Sequence, residues 1–184
     1  MRILAISGSL RRESFNAKLL RAAEELAPDG VEFSYYDELE DVPPYNEDHD
    51  TDDPPVVVSR LRERIAGADA ILIATPEYNY SVPGQLKTAL DWASRPAGTG
   101  ALAGKHAAVM GASTGMFGAV WAQAEVRKIL GATGARVVEG EVPVGHAHDR
   151  FHADGTLRDE EIKDAVASLL SDLVGAVAEL RAAA

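Results

Sequence analysis

An alternation that repeats along nearly the whole chain constrains its fold most. Short runs at 2–6 (RILAI), 31–35 (VEFSY), 70–74 (AILIA), 107–111 (AAVMG) and 136–139 (RVVE) read as strands, several of them continuously apolar. Between and after them, 15–27, 55–67, 83–94, 119–131 and 158–182 space Leu, Ile, Val and Ala three and four apart, which predicts helices. A strand that is apolar throughout must be covered on both faces. Repeated β-α-β-α units therefore predict a parallel sheet with helices on both sides and right-handed crossovers. The chain has 184 residues and shows neither an internal repeat nor a linker, so one domain spanning 1–184 is expected. The last helix carries Ile162, Val166, Leu169, Leu173, Val177 and Leu180 in one stripe, read as cover for the sheet.

Composition removes several functional classes. Without cysteine, neither a disulfide framework nor a thiolate zinc site is available. A net charge of −11 argues against nucleic acid, whose phosphates need a basic face. Any anionic ligand must instead meet a local positive patch. No apolar run approaches the roughly 20 residues of a membrane span. The start, MRILAISGSLRRES, lacks the apolar core and cleavage pattern of a signal peptide, so a cytoplasmic protein is expected.

Ligands of open parallel sheets sit beyond the carboxyl ends of the strands, and three loops there are unusual. The first, SGSLRRESFN, is neither a Walker loop nor a dinucleotide fingerprint. It offers hydroxyls at Ser9 and Ser14, a guanidinium at Arg11, an amide at Asn16 and the free N–H groups of a helix start beside Phe15. Those are the parts of a phosphate-monoester site. The second, Thr75–Tyr80, precedes a helix whose start is predicted near residue 82, with Ser81 as cap and Pro83 in the first turn. Its rings can wall a flat aromatic ligand. The third, Gly111–Gly118, has glycines that let main chain approach a ligand closely.

The segments GSLRRESFNAKLL, TPEYNYSVPGQLKTALDW and LAGKHAAVMGASTGMFG resemble the hallmark segments of the NADPH-dependent FMN reductase family. The resemblance implies a three-layer flavodoxin-like sandwich: a five-stranded parallel sheet in order 2-1-3-4-5 with helices on both faces. It implies FMN as cofactor, NADPH or NADH as co-substrate, and a small-molecule electron acceptor of the quinone type. Carried onto this sequence, Ser9, Arg11, Ser14, Phe15 and Asn16 would hold the FMN phosphate. Pro76, Glu77, Tyr78 and Asn79 would contact the ribityl chain and isoalloxazine, and Ser113, Thr114 and Gly115 would border the pyrimidine end. The amides of Ser113–Gly115 would then meet charge developing at that end.

With no cysteine and no histidine in the three loops, no catalytic side chain is assigned, and FMN carries the chemistry. A hydride relay by a ping-pong scheme is expected. The alternatives are a reductase supplying free reduced flavin to a partner monooxygenase and a flavodoxin-like electron carrier. Arg11 favours an enzyme over a carrier, whose phosphate loops are rich in Ser and Thr. The segment GHAHDRFHADG fits no strong metal-ligand pattern and reads as the connection to the last helix. The acidic stretch 37–55 reads as a solvated loop, with a minor lid role open. The resemblance further implies a homodimer, or a homotetramer built from it, joined by the third and fourth helices with Trp92 and Trp121 as candidate anchors.

Overall fold

Three strands buried on both faces form the centre of the molecule. In the computed structural model, which describes residues 1–182, these are β1 (Arg2–Ser7), β3 (Ala70–Thr75) and β4 (His106–Ala112). With β2 (Glu32–Tyr36) and β5 (Arg136–Val137) they make a parallel sheet in the order β2-β1-β3-β4-β5, the flavodoxin-like order. Successive residues of a strand face opposite sides, so β1 sends Ile3 and Ala5 to one core and Leu4 and Ile6 to the other. The first core is closed by α1 (Phe15–Glu25) and α6 (Glu160–Ala182). The second is closed by α2 (Val56–Ala66), α3 (Gly84–Ala93) and α4 (Val120–Ala132). Each buried Leu, Ile or Val stabilises the fold by roughly 1.5–3 kcal/mol before entropy is counted.

Four expectations need correction or sharpening. The predicted strand 136–139 pairs with β4 for two residues only, and the chain rejoins that edge at β6 (Pro143–Val144), opposite Gly111 and Ala112. Between the two pieces, Arg127 on α4 holds the carbonyl of Gly140 at 2.7 Å and the carboxylate of Glu141. The third helix starts at Gly84, later than predicted, because the Ser81 hydroxyl donates to Glu125 and not to its own helix. Trp92 is fully buried, with its indole N–H donating to Pro43 O at 2.8 Å, so it is a core residue and not an interface anchor. The stripe on α6 covers the sheet through Val177 but ends before Leu180, which is exposed.

The acidic stretch is stitched down. It contains two 3-10 turns, Leu39–Asp41 and Glu47–His49. Gln85 Nε2 donates to the carbonyls of Leu39 and Val42, each at 2.7 Å. Arg62 pairs with Asp50 at 2.7 Å, and Tyr45 packs edge-on against Trp92. After β6, a short helix α5 (Ala147–Arg150) leads into a turn where Phe151 stacks on Phe15.

Candidate active site

The three loops meet at the carboxyl edge of β1, β3 and β4, and one glycine lets the first two touch. The Gly8 amide donates to Ala74 O at 2.8 Å, and a Cβ there would lie 2.9 Å from Leu86 Cδ2 and 3.2 Å from Pro76 Cδ. Beyond it, Ser14 caps α1: its Oγ accepts from the amides of Asn16 at 3.2 Å and Ala17 at 3.3 Å. That geometry leaves its own O–H free to donate. Ser9 Oγ likewise only accepts, from Arg11 N at 3.4 Å. Arg11 donates to Glu13 O at 2.8 Å, and its guanidinium carbon lies 5.8 Å from the centroid of the Phe15 ring. The amides of Ser14 and Phe15 have no hydrogen-bond partner among the described residues. Two hydroxyls, a guanidinium and helix-start amides thus gather at one point, a donor set matched to a dianionic phosphate monoester.

Asn16 lines the cavity and also braces it. Its Nδ2 donates to Ala112 O and its Oδ1 accepts from Ala112 N, both at 2.9 Å, in a buried position. The residue is a strut that fixes the first loop to the end of β4.

After β3, Tyr78 and Ser81 exchange both backbone hydrogen bonds at 3.1 Å, making a two-residue hairpin. Asn79 (φ 52) and Tyr80 (φ 62) both occupy the left-handed region, as a type I′ turn requires. Asparagine accepts that conformation readily and tyrosine does not, at a cost of about 1–2 kcal/mol. The turn leaves Tyr78 50% and Tyr80 72% exposed. Glu77 lines the cavity and also reaches α4, where its Oε2 accepts from Trp121 N at 3.0 Å and Ala122 N at 3.1 Å. It caps a helix whose own preceding residue, Ala119, has no polar side chain, and a carboxylate is favoured there.

In the third loop, Ser113 N donates to Val144 O at 3.0 Å and Gly115 N to Ser113 Oγ at 3.1 Å. Of the three amides expected to face a ligand, only that of Thr114 is unpaired among the described residues. The loop closes tightly on the segment after β6, where a Cβ on Gly145 would fall 2.1 Å from Met116 O.

All the site residues expected from the sequence except Asn79 and Gly115 line one cavity of about 190 Å³. Those two line an adjoining cavity of about 350 Å³ that shares Glu77 and Ser113 with the first. Its outer wall is Tyr80, Met116, Phe117 and Trp121, with the indole of Trp121 edge-on to Tyr80 (5.1 Å) and to Phe117 (5.0 Å). The ring of Tyr80 was expected as wall from its place in the second loop, whereas Met116 and Phe117 had no assigned role. Bulky apolar residues inside a glycine-rich loop were the available signal. Glu125 likewise had no assigned role; it accepts from the Ser81 hydroxyl and from Val82 N at 3.2 Å. The Ser81 hydroxyl first, and the Val82 amide second, hold that carboxyl below the usual glutamate range.

A parallel sheet in this order, with an anion cradle on the first loop and an aromatic-walled cavity next to it, defines a flavodoxin-like protein built for a phosphorylated aromatic cofactor. The sequence profile of the NADPH-dependent FMN reductase family matches residues 1–149, and the chain belongs to that family. It is 41% identical over 182 residues to an NAD(P)H-dependent FMN reductase of Pseudomonas aeruginosa, covering 98% of this chain and 97% of the relative. It is 39% identical over 164 residues to a 2-hydroxy-1,4-benzoquinone reductase of a Burkholderia species, covering 89% and 88%. Among solved structures, it resembles FerB, a flavoenzyme NAD(P)H:(acceptor) oxidoreductase of Paracoccus denitrificans. That match has a TM-score of 0.81 and 36% identity, over 95% of this chain and 97% of the other. The chain is an FMN-dependent oxidoreductase with NAD(P)H as co-substrate.

Proposed function

We propose that the chain reduces a quinone or similar planar acceptor at the expense of NAD(P)H, with donor and acceptor entering the same cavity in turn. The observation that carries this reading is the aromatic-walled space beside the anion cradle, which shares Glu77 and Ser113 with it as lining. A planar ring can lie against Tyr80, Phe117 and Trp121, and offset or edge-on aromatic packing there favours such a ring over an aliphatic acceptor. The similarity to a 2-hydroxy-1,4-benzoquinone reductase supports the same class of acceptor.

FMN, when bound, supplies the hydride-transfer chemistry. The chain's own residues bind and orient it. Arg11 and the hydroxyls of Ser9 and Ser14 hold the phosphate, Tyr78 gives a side wall, and the Thr114 amide is the donor available for anionic charge at the pyrimidine end. No side chain need pass through a covalent intermediate, and the chain has no cysteine to form one.

A cavity shared by both substrates implies ping-pong kinetics. Initial rates over a matrix of NADPH and quinone concentrations are expected to give parallel double-reciprocal lines. Intersecting lines would mean that both substrates bind together, against this reading. We extend the proposal to assembly and setting: one reductase domain across the chain, in the cytoplasm, working as a homodimer or a homotetramer built from it. The exposed Trp121 and Phe117 at the cavity mouth support pairing on the α4 side.

A further inference from the structure

Ser81 and Glu125 line neither cavity, yet they join the two elements that wall both. The hairpin 78–81 has only its two backbone bonds and a costly Tyr80 conformation, which fix its shape but not how it leans. Its lean is set by two carboxylates working in opposite directions. Glu77 reaches from the loop to the first amides of α4. Glu125, about one turn further along α4, reaches back and takes the Ser81 hydroxyl and the Val82 amide on a single oxygen. Between these clips, the Tyr80 ring meets Trp121 edge-on at 5.1 Å.

We infer that Glu125 and Ser81 form a latch that positions the hairpin, placing Tyr78 at the anion cavity and Tyr80 at the aromatic one. The pair thereby sets cofactor affinity and acceptor KM without touching either ligand. The inference rests on the reading that these cavities take FMN and a planar acceptor. A single exposed carboxylate contact on a rigid surface would contribute little. Here the two donors belong to a turn whose residue Tyr80 is held in the left-handed region, so release of the latch lets the turn relax. Glu125 and Ser81 are positioning residues and not catalytic ones.

Four variants test this: Glu125→Ala, Glu125→Gln, Ser81→Ala and the double alanine variant. Each is titrated with FMN by flavin fluorescence, and the visible circular dichroism of the bound flavin is recorded. Glu125→Ala and Ser81→Ala are each expected to weaken FMN binding about tenfold, and the double variant no further, because the two residues share one interaction. Both single variants should change the flavin dichroism and raise acceptor KM, with kcat at saturating FMN unchanged. Glu125→Gln, whose amide oxygen can accept both bonds, should stay close to the parent. In the protein without flavin, amide hydrogen exchange should quicken at residues 78–82 in Glu125→Ala while β3 and β4 keep their protection. Wild-type FMN affinity and dichroism in Glu125→Ala, or a Gln variant as impaired as the Ala one, would overturn the latch alone. Failure of the parent protein to bind FMN would overturn the functional reading with it.

Discussion

The segments that follow β2 and β3 leave the sheet at the same edge, and only the first departs from what its sequence suggests. The stretch 37–55 is dense in Asp and Glu and reads as solvated, yet Leu39 and Val42 are buried in it and helix side chains hold three of its carbonyls. The stretch 76–83 is rich in proline and tyrosine, reads as a loop at the sheet's carboxyl edge, and projects Tyr78 and Tyr80 into the open. The difference lies in what meets the main chain. Gln85 and Trp92 spend buried donors on the acidic segment's carbonyls, satisfying backbone that would otherwise be orphaned. The hairpin satisfies its main chain across its own turn, which leaves its two tyrosine rings exposed beside the cavities they wall. A charged loop can thus belong to the scaffold and an aromatic one to the ligand.

The sharpest way to break this comparison is to remove the two tryptophans. Trp92→Ala deletes a fully buried side chain and its bond to Pro43, and should destabilise the protein by about 3–5 kcal/mol in urea unfolding followed by circular dichroism. Trp121→Ala should cost less than about 1 kcal/mol while raising quinone KM and lowering the assembly mass toward that of a monomer. Similar stability losses in the two variants would erase the distinction. A smaller effect concerns acid. The Glu125 carboxyl titrates below its ordinary value of 4.5 because the Ser81 hydroxyl and Val82 amide favour the charged form. Its contribution is therefore complete above that ordinary value and is lost as pH falls through the lower folded one. Glu125→Gln should be less stable than the parent by about 0.5 kcal/mol or less at pH 7, and the gap should close when both are unfolded below pH 4.5. A gap that widens in acid would contradict the assigned cause.

Much of the scaffold was legible because β1, β3 and β4 are buried on both faces and so are apolar without interruption. The fifth strand was harder to read, since its pairing stops where Arg127, some ten residues earlier on α4, captures Gly140 and Glu141. The start of α3 was misplaced for a related reason. Ser81 and Pro83 carry a sound local cap signal, but an acceptor 44 residues away takes the hydroxyl. Trp92 and Trp121 both lie on amphipathic helices, and core and interface want the same residue type, so sequence could not separate them. The site loops were recognisable from their segments. The bonds of Asn16 to Ala112 were not, because a motif places the residue in its loop while the fold brings the β4 main chain to its amide.

The central claim is that the first loop holds the phosphate of FMN. Its most direct test is a paired titration of the flavin-free protein with FMN and with riboflavin, which has the same ring and ribityl chain but no phosphate. Each charge-assisted bond contributes about 1.5–3 kcal/mol, so riboflavin should bind at least about a hundredfold more weakly. Arg11→Ala should weaken FMN by about ten- to a hundredfold and change riboflavin little. Equal affinities for FMN and riboflavin in the parent protein, or undiminished FMN binding by Arg11→Ala, would contradict the claim.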